Sequence, residues 1–177
     1  SAGFPVTIQG GKLSQADTSV AKNNAGNSGA SVAPDNDLVF TWFAMEMGLQ
    51  KTVVVANSRK SFGQPVIEHQ GVRWKLVDAA TDLEAARLLT YRAARLIDEG
   101  GDAVMPAAYA KKFATDMAVQ RIADCIQAMG ANGLRSDFPL ARHLAGAKIA
   151  AYTDGSIEMM NERIGAGLGK VFAPGSK

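Results

Sequence analysis

The sequence has little of what disulfide and metal sites require. Its 177 residues include one cysteine, Cys125, and two histidines, His69 and His143. A single cysteine forms no internal disulfide, and Cys125 lies in an apolar helical pattern that is typical of a buried, inert thiol. Neither histidine has a companion residue at the spacing of metal ligands. We therefore expect no disulfide framework and no metal site.

Dense charge and long apolar runs are also missing. The 19 basic and 17 acidic residues are interspersed and give a formal net charge of +2. A surface for nucleic acid or for an anionic membrane is therefore not expected. No apolar run approaches the roughly 18 residues of a membrane span, and the first residues lack the pattern of a signal peptide. These features favour a cytoplasmic protein.

The composition changes once along the chain. The first 36 residues are poor in helical pattern, and the small, polar stretch Ala21–Ser31 predicts a loop or linker. Within that segment, Phe4–Leu13 alternates around a Gly-Gly turn and is compatible with one short hairpin. Residues 37–170 are expected to form one helical bundle domain, and residues 171–177 a tail. A chain of this length can bury one good core.

Apolar residues after Pro65 predict one long helix. They recur at alternating steps of three and four residues, which is typical of packing in an antiparallel bundle. The segment Thr81–Glu84 resembles a capping box and could begin a new helix. We expect one continuous helix, because the stripe passes through this segment without a change of phase, and Gly100 should end it. The stripe comprises Val72, Leu76, Ala79, Leu83, Ala86, Thr90, Ala93 and Ile97.

Further helices are expected on either side. Asp35–Asp37 offers capping residues for a helix before the long one. Pro106 should open the next helix and Gly130 should close it. Two shorter apolar segments follow, one after Pro139 and one after Ser156. Their expected apolar faces contain Leu140, Leu144, Ala147 and Ile149, and then Met159, Met160, Ile164 and Leu168. The pattern predicts an all-α fold, an up-and-down four-helix bundle with an irregular amino-terminal segment.

Three motifs carry the chemical information. The first is Arg59–Gly63 (RKSFG), which is followed by Gln70; the second is Gln127–Gly133 (QAMGANG); the third is Tyr152–Ser156 (YTDGS). Each is weak alone. In order and spacing, they resemble the carboxyl-terminal helical domain of acyl-CoA dehydrogenases over about residues 44 to 170.

The resemblance implies a domain plan, a cofactor and a reaction. Members of that family have an amino-terminal helical domain, a middle β-domain and a carboxyl-terminal four-helix bundle, with FAD held between domains and between neighbouring subunits. They oxidise the α,β carbon pair of an acyl thioester. A carboxylate removes the α proton, the flavin accepts the β hydride, and an electron-transfer flavoprotein collects the electrons. Residues 4–20 would be at most a remnant of the β-domain.

The resemblance also implies contacts to FAD. Arg59 matches the arginine that reaches the FAD of the adjoining subunit, where a guanidinium suits pyrophosphate oxygens; a solvated arginine before a turn is the alternative. Phe62 is expected beside the cofactor, or simply in the core. Gln70 either offers its amide to the cofactor or only begins a helix. Gln127 and Gly130 match the segment that contacts the flavin adenosine, and a plain helix stop is the alternative.

Asp154 is the catalytic base that the resemblance implies. It matches the place where many members carry glutamate, and it is one methylene shorter. The backbone amide at this position also binds the thioester carbonyl in the family. Ser156 matches a position that approaches FAD, whereas Glu158 places a negative charge where glutamine is common. Helix capping is the alternative for Asp154 and Ser156. Glu46 is a substitute base, because some diverged members place the base on the preceding helix.

Two functions remain open from the sequence. The first is that of a flavin-dependent acyl-CoA dehydrogenase, as fragment or subunit. Its substrate is an acyl-CoA and its partners are an electron-transfer flavoprotein and either further copies or a subunit that carries the β-domain. The second is a non-catalytic helical oligomerisation or interaction module derived from that family. The matches at Arg59 and Gln127 favour the first, whereas Glu158 and the pair Ala145-Gly146, in place of arginine-aspartate, favour the second.

Overall fold

The chain folds into helices joined by short connections. A computed structural model describes residues 36–153 and 155–172. Residues 1–35, which include the predicted hairpin and part of the predicted capping segment, lie outside the described residues, as do Asp154 and the last five residues. The helices are α1 (Asn36–Ser58), α2 (Gln70–Asp98), α3 (Val104–Met129), α4 (Leu140–Ala150) and α5 (Ile157–Val171). The predicted all-α class is confirmed.

Four short elements complete the described chain. Between α1 and α2, strands β1 (Lys60–Ser61) and β2 (Gln64–Pro65) pair antiparallel, with Lys60 opposite Pro65 and Ser61 opposite Gln64. Two short 3-10 segments, Val66–Glu68 and Gly130–Leu134, follow β2 and α3. Among the described residues, no helix is long and apolar enough to cross a membrane.

Helix α3 is the centre of the bundle, because it packs against each of the other four helices. Its apolar residues recur at helical spacing in the sequence and form a stripe that is buried. Alanine supplies much of that stripe, so that neighbouring helices approach closely. Cys125 is fully buried on this helix, and burial raises the pKa of its thiol to about 11. The buried stripe comprises Ala107, Ala110, Ala114, Ala118, Ile122, Cys125 and Met129.

Helix α2 is continuous, as the stripe predicted. It passes through Thr81, whose hydroxyl donates to the carbonyl oxygen of Val77 one turn earlier and begins no new helix. Six residues of the predicted stripe are buried, namely Leu76, Ala79, Leu83, Ala86, Thr90 and Ala93. The stripe faces α3 and, less extensively, α1.

Ion pairs also join α2 to α3. Asp124 of α3 is buried and accepts a hydrogen bond from Lys75 of α2 at 2.8 Å. Arg121 donates to Asp124 at 3.0 Å and to Asp82 of α2 at 2.6 Å. Because both oxygens of the buried carboxylate have cationic partners, the charge of Asp124 is compensated.

The last two helices correct one expectation about burial. Both pack on α3, and α4 also packs on α1, so that these two short helices together take the fourth place of the bundle. Each therefore buries only a narrow stripe that includes Leu140 or Met160. Ile149, Met159 and Leu168 were expected on apolar faces, but 45–61% of each residue is exposed.

The start of α3 corrects a second expectation. The helix begins at Val104, two residues before Pro106, and the backbone N–H of Val104 donates to the Asp102 carboxylate at 3.0 Å. Pro106 is compatible with this start because the first-turn N–H groups of a helix have no partner within the helix. The end of α3 was predicted correctly, because Gly130 follows Met129 with a φ of 62°.

Candidate functional site

Arg59 lies against the carboxyl-terminal end of α3. It follows α1 directly, and its Nη1 donates to the carbonyl oxygen of Met129 at 3.2 Å. The last carbonyls of a helix have no partner within the helix, so this bond caps α3. A Cβ atom on Gly130 would lie 3.1 Å from the same Nη1. The first and second motifs therefore meet, and glycine is what allows the guanidinium to approach.

Phe62 projects from the tip of the hairpin. It is 98% exposed, and so the alternative that placed it in the core is wrong. Phe62 has a φ of 50° and Gly63 a φ of 82°. Two positive φ values in a two-residue loop are typical of a type I′ turn, whose twist suits a hairpin. An aromatic residue is unusual at the first of these positions, where asparagine, aspartate or glycine is common.

Gln70 and Gln127 lie at the same end of the bundle. Gln70 is the first residue of α2, and Gln127 is in the last turn of α3. Both side chains are exposed. Since α2 begins and α3 ends beside the hairpin, we call Arg59, Phe62, Gln70, Gln127 and Gly130 the Arg59 cluster. The structure places all five of these predicted residues at one end of the bundle.

His69 contacts both strands of the hairpin. From the sequence alone it has no assigned role, because no second metal ligand lies at a suitable spacing. Its Nε2 lies 3.0 Å from the carbonyl oxygen of Ser61, and its Nδ1 lies 3.2 Å from Nε2 of Gln64. The ring meets Phe62 edge-on, with centroids 6.1 Å apart and planes at 82°. The detectable signal was the position of a histidine directly before a helix and shortly after a tight turn.

Ser156 lies in a different place, at the turn between α4 and α5. Its Oγ accepts a hydrogen bond from the backbone N–H of Met159 at 3.5 Å, so Ser156 caps α5, as the alternative for this residue predicted. Its hydroxyl also donates to the Glu158 carboxylate, and this bond lowers the pKa of Glu158. The negative charge of Glu158 is therefore retained at neutral pH beside Ser156. Asp154 itself lies outside the described residues.

A buried lysine supports the same turn. Lys111 of α3 is 2% exposed, and its Nζ donates to the carbonyl oxygen of Thr153. A buried ammonium is costly without partners, and this bond ties the centre of the bundle to the residue before Asp154. Sequence reasoning missed Lys111. Lys112, beside it, is partly exposed and forms an ion pair with Asp116. In the sequence, two adjacent lysines in a helix give no sign of which one is buried.

A cleft lies next to this turn, between α3, α4 and the start of α5. Its volume is about 280 Å³. Lys148 lies on one side with its Nζ 5.4 Å from the ring centroid of Tyr152. The cleft is lined by Thr115, Asp116, Val119, Lys148, Ala151, Tyr152, Ile157 and Glu158. A concave surface of mixed charge thus accompanies the third motif.

The third motif is far from the Arg59 cluster. Lys111 contacts the turn before Ser156, whereas Met129 contacts Arg59. The segment of α3 between Lys111 and Met129 spans about 27 Å at 1.5 Å per residue. Ser156 therefore does not join the other predicted cofactor contacts, and the bundle carries two candidate surfaces.

Glu46, the substitute base, is held in an ion pair. Its carboxylate lies 2.6 Å from Nη2 of Arg87 on α2. A base that must reach a substrate is poorly served by such a contact. Within residues 36–153 and 155–172, no three histidine, cysteine, aspartate or glutamate side chains are grouped to hold a metal ion.

Comparison with known proteins assigns the family. Residues 38–169 match the family model described as the acyl-CoA dehydrogenase, C-terminal domain. The chain belongs to the acyl-CoA dehydrogenase family. An acyl-CoA dehydrogenase of Bacillus subtilis is 40% identical over 114 residues, which are 64% of this chain and 30% of that protein.

Solved structures share the fold. Butyryl-CoA dehydrogenase from Megasphaera elsdenii matches with a TM-score of 0.70 and 33% identity, over 72% of this chain and 33% of that chain. The structure titled PigA with FAD and proline matches with a TM-score of 0.70 and 29% identity, over 73% of this chain and 34% of that chain. The chain spans about a third of the length of these relatives.

Proposed function

We propose that this chain is the carboxyl-terminal part of a flavin-dependent acyl-CoA dehydrogenase that oxidises the α,β carbon pair of an acyl-CoA. The observation that carries the proposal is the Arg59 guanidinium fixed beside Gly130 at the end of α3. Family membership supplies the reaction class. The cytoplasmic location and the domain limits at residues 36, 37 and 170 stay predictions from the sequence.

The Arg59 cluster fits FAD in its chemistry. One donor of Arg59 bonds Met129 and thereby fixes the guanidinium, while the exposed side chain has further N–H groups that suit two pyrophosphate oxygens. Gly130 leaves room for close approach, and Phe62 offers an exposed aromatic face. The amides of Gln70 and Gln127 provide donors and acceptors for the adenosine part. PigA, a relative in fold, is described with FAD.

Catalysis is proposed at the turn between α4 and α5. When bound, FAD supplies the hydride acceptor. Asp154 accepts the α proton on a carboxylate oxygen, and the backbone amide at the same position binds the thioester carbonyl, as the resemblance to the family implies. Lys111 holds the carbonyl of Thr153 and so fixes the backbone that leads into Asp154. Ser156 acts mainly as the cap of α5, because its hydroxyl is already engaged by Met159 and Glu158.

The distance between the two surfaces supports an oligomer. About 27 Å of α3 separates the Arg59 cluster from the Asp154 turn, which is compatible with contacts to two different flavins, as the resemblance to the family implies. We propose that Arg59 reaches the FAD of a neighbouring subunit while Asp154 serves its own. The β-domain that completes each site belongs either to the same protein or to a partner subunit, and an electron-transfer flavoprotein then collects the electrons.

One observation favours the non-catalytic alternative. The Ser156 hydroxyl donates to Glu158, which keeps a negative charge at the proposed site. A helical interaction module would tolerate this arrangement without cost. The alternative and the dehydrogenase differ in one measurable property, which is saturable flavin binding at Arg59.

The test is a FAD titration followed by turnover of acyl-CoA with an artificial electron acceptor. The sample is the purified chain, alone and with a family member's β-domain in trans. We expect saturable binding that Arg59→Ala weakens, and turnover that Asp154→Asn abolishes while flavin binding is retained. Full turnover by Asp154→Asn would refute the base assignment. Absence of flavin binding in both samples would favour the interaction module.

A further inference from the structure

The two hydrogen bonds of His69 specify one form of its ring. A carbonyl oxygen accepts only, so Nε2 of His69 donates to Ser61. The amide nitrogen of Gln64 donates only, so Nδ1 of His69 accepts from it. Both requirements are met by the neutral imidazole with its hydrogen on Nε2. His69 therefore bridges the two strands of the hairpin, since Ser61 belongs to β1 and Gln64 to β2.

The hairpin needs such support. Each strand has two residues, and a two-stranded hairpin of this size is marginal by itself in water. Phe62 adds strain, because its positive φ brings a Cβ-bearing residue into the left-handed region. One backbone bond, from the N–H of Val66 to the carbonyl of Arg59 at 2.9 Å, closes the base of the hairpin. The bridge by His69 acts near the tip, where the strain lies.

The strain at Phe62 is not offset by burial within the described chain. The side chain is 98% exposed and touches the edge of the His69 ring. A turn that only reversed the chain would be better served by asparagine or glycine at this position. A partner outside the described chain that packs against the ring would explain why an exposed phenylalanine occupies this strained turn.

His69 also begins α2. Its carbonyl oxygen accepts from the N–H groups of Val72 and Arg73, each at 3.0 Å, and Gln70 is the first residue of the helix. The side chain therefore holds the hairpin while the backbone starts α2. Phe62 and Gln70, which lie on either side of His69, are kept in a fixed relation.

We propose that His69 is a positioning residue that holds Phe62 outward on the hairpin, ready to pack against the flavin cofactor. The identity of the cofactor rests on the proposed function. The role of His69 in ordering the hairpin does not, and it can be measured without a ligand.

Two substitutions separate the features of His69. His69→Phe keeps an aromatic ring and removes both hydrogen bonds. His69→Gln keeps a donor and an acceptor and removes the ring. Glu68→Ala is the control, because Glu68 is the neighbouring residue and its ion pair with Arg73 is exposed.

The first readout is amide hydrogen exchange of the unliganded chain. In His69→Phe, we expect exchange at Gln64 and Val66 to rise about tenfold, as for the loss of two hydrogen bonds, with no change at Ile122 in the core. In His69→Gln, the exchange rates at these amides should stay within about threefold of those of the parent. In Glu68→Ala, they should equal those of the parent. Unchanged exchange in His69→Phe would overturn the inference, whether or not the chain binds FAD.

The second readout is the dissociation constant for FAD in the assembly that binds it. His69→Phe should weaken FAD about as much as Phe62→Ala does, and His69→Gln should restore most of the affinity. If the hairpin loosens in His69→Phe while flavin affinity is unchanged, the positioning role is refuted and His69 serves the fold alone. If neither Arg59→Ala nor His69→Phe affects FAD, the proposed function fails, and the exchange result still decides the role of His69 in the hairpin.

Discussion

Arg59 donates a hydrogen bond from Nη1 to the carbonyl oxygen of Met129, a residue 70 positions later in the chain. This bond joins the start of the hairpin to the end of α3. It gives Arg59 a structural role, the capping of α3, in addition to the proposed contact with pyrophosphate. The two roles differ in what they require, because a cap needs one donor whereas paired phosphate contacts need a planar fork.

Substitutions of Arg59 should separate these roles. We expect Arg59→Ala to lower the free energy of unfolding by about 1 kcal/mol and to weaken FAD binding by at least about tenfold. Arg59→Lys should recover most of the stability, since lysine retains a donor and the charge, but little of the affinity. Urea unfolding and FAD titration measure the two effects.

Arg135→Ala is the matched control for Arg59. Arg135 is also an exposed arginine, and its partner Asp137 lies two residues away. Neither stability nor flavin affinity should change in this variant. Equal affinity in Arg59→Lys and the parent would show that charge alone is needed at this position and would contradict the paired contact.

Gly130 should tolerate no side chain. Its φ of 62° and ψ of −142° suit glycine, and a Cβ atom would lie 3.1 Å from the Arg59 guanidinium. We expect Gly130→Ala to destabilise the chain by about 1–3 kcal/mol and to displace Arg59, so that FAD affinity falls as well. Thermal unfolding and FAD titration check both parts.

At Gly71, the same substitution by alanine should raise stability instead of lowering it. It lies in the first turn of α2, and nothing lies within 4 Å of a Cβ built there. Gly71→Ala should therefore stabilise the chain by about 0.5–1 kcal/mol through helix propensity. A similar loss of stability in both alanine variants would show that the conformation of Gly130 has no special cost.

The sequence predicted the helices well because the bundle buries regular stripes. The stripe through Leu76, Leu83 and Thr90 is an example, since its period is that of a helix with one face in the core. The faces of α4 and α5 were predicted less well. Ile149 and Leu168 continue apolar patterns but no helix within residues 36–153 and 155–172 covers them, and whether a helix has a neighbour on a given side is a tertiary property.

The sequence predicted residues of the candidate site itself, but not the residues that hold the site in place. Sequence order identified Arg59 and Gly130, which do meet. Lys111 was missed because its role depends on a backbone carbonyl 42 positions away, and such a contact leaves no pattern in the sequence. His69 was missed although its position between a tight turn and a helix was a signal, because the carbonyl it contacts, 8 positions away, is identified only in the folded hairpin. The positive φ of Phe62 was equally hidden, since glycine and asparagine are the residues that signal it.

The buried carboxylate of Asp124 should make stability depend on pH. Burial disfavours its charge, but hydrogen bonds from Lys75 and Arg121 outweigh that effect and hold the pKa of Asp124 below its ordinary value. Because the folded pKa is depressed, the stabilisation is present above the unfolded pKa and is lost as the pH falls through the folded pKa. Asp124→Asn should therefore cost about 2 kcal/mol at pH 7, and the difference from the parent should shrink below about pH 4.

Urea unfolding of both proteins at several pH values measures this difference. Asp137→Asn is the control, because hydrogen bonding to Arg135 lowers the pKa of Asp137 at an exposed site. Exposed ion pairs contribute little, so this variant should follow the parent at every pH. A constant difference between Asp124→Asn and the parent down to pH 3 would contradict the role of ionised Asp124.

Phe62→Asn should raise stability and lower flavin affinity together. Asparagine accepts a positive φ more readily than phenylalanine, so relief of strain at the turn should stabilise the chain by about 0.5–1 kcal/mol. The exposed aromatic surface is lost in the same step, and FAD should bind more weakly.

Phe62→Tyr retains both ring and strain and should match the parent in both measurements. Opposite changes are the signature of a residue retained for binding at the expense of the fold. A gain in stability without a loss of affinity would instead show that Phe62 does not contact the cofactor.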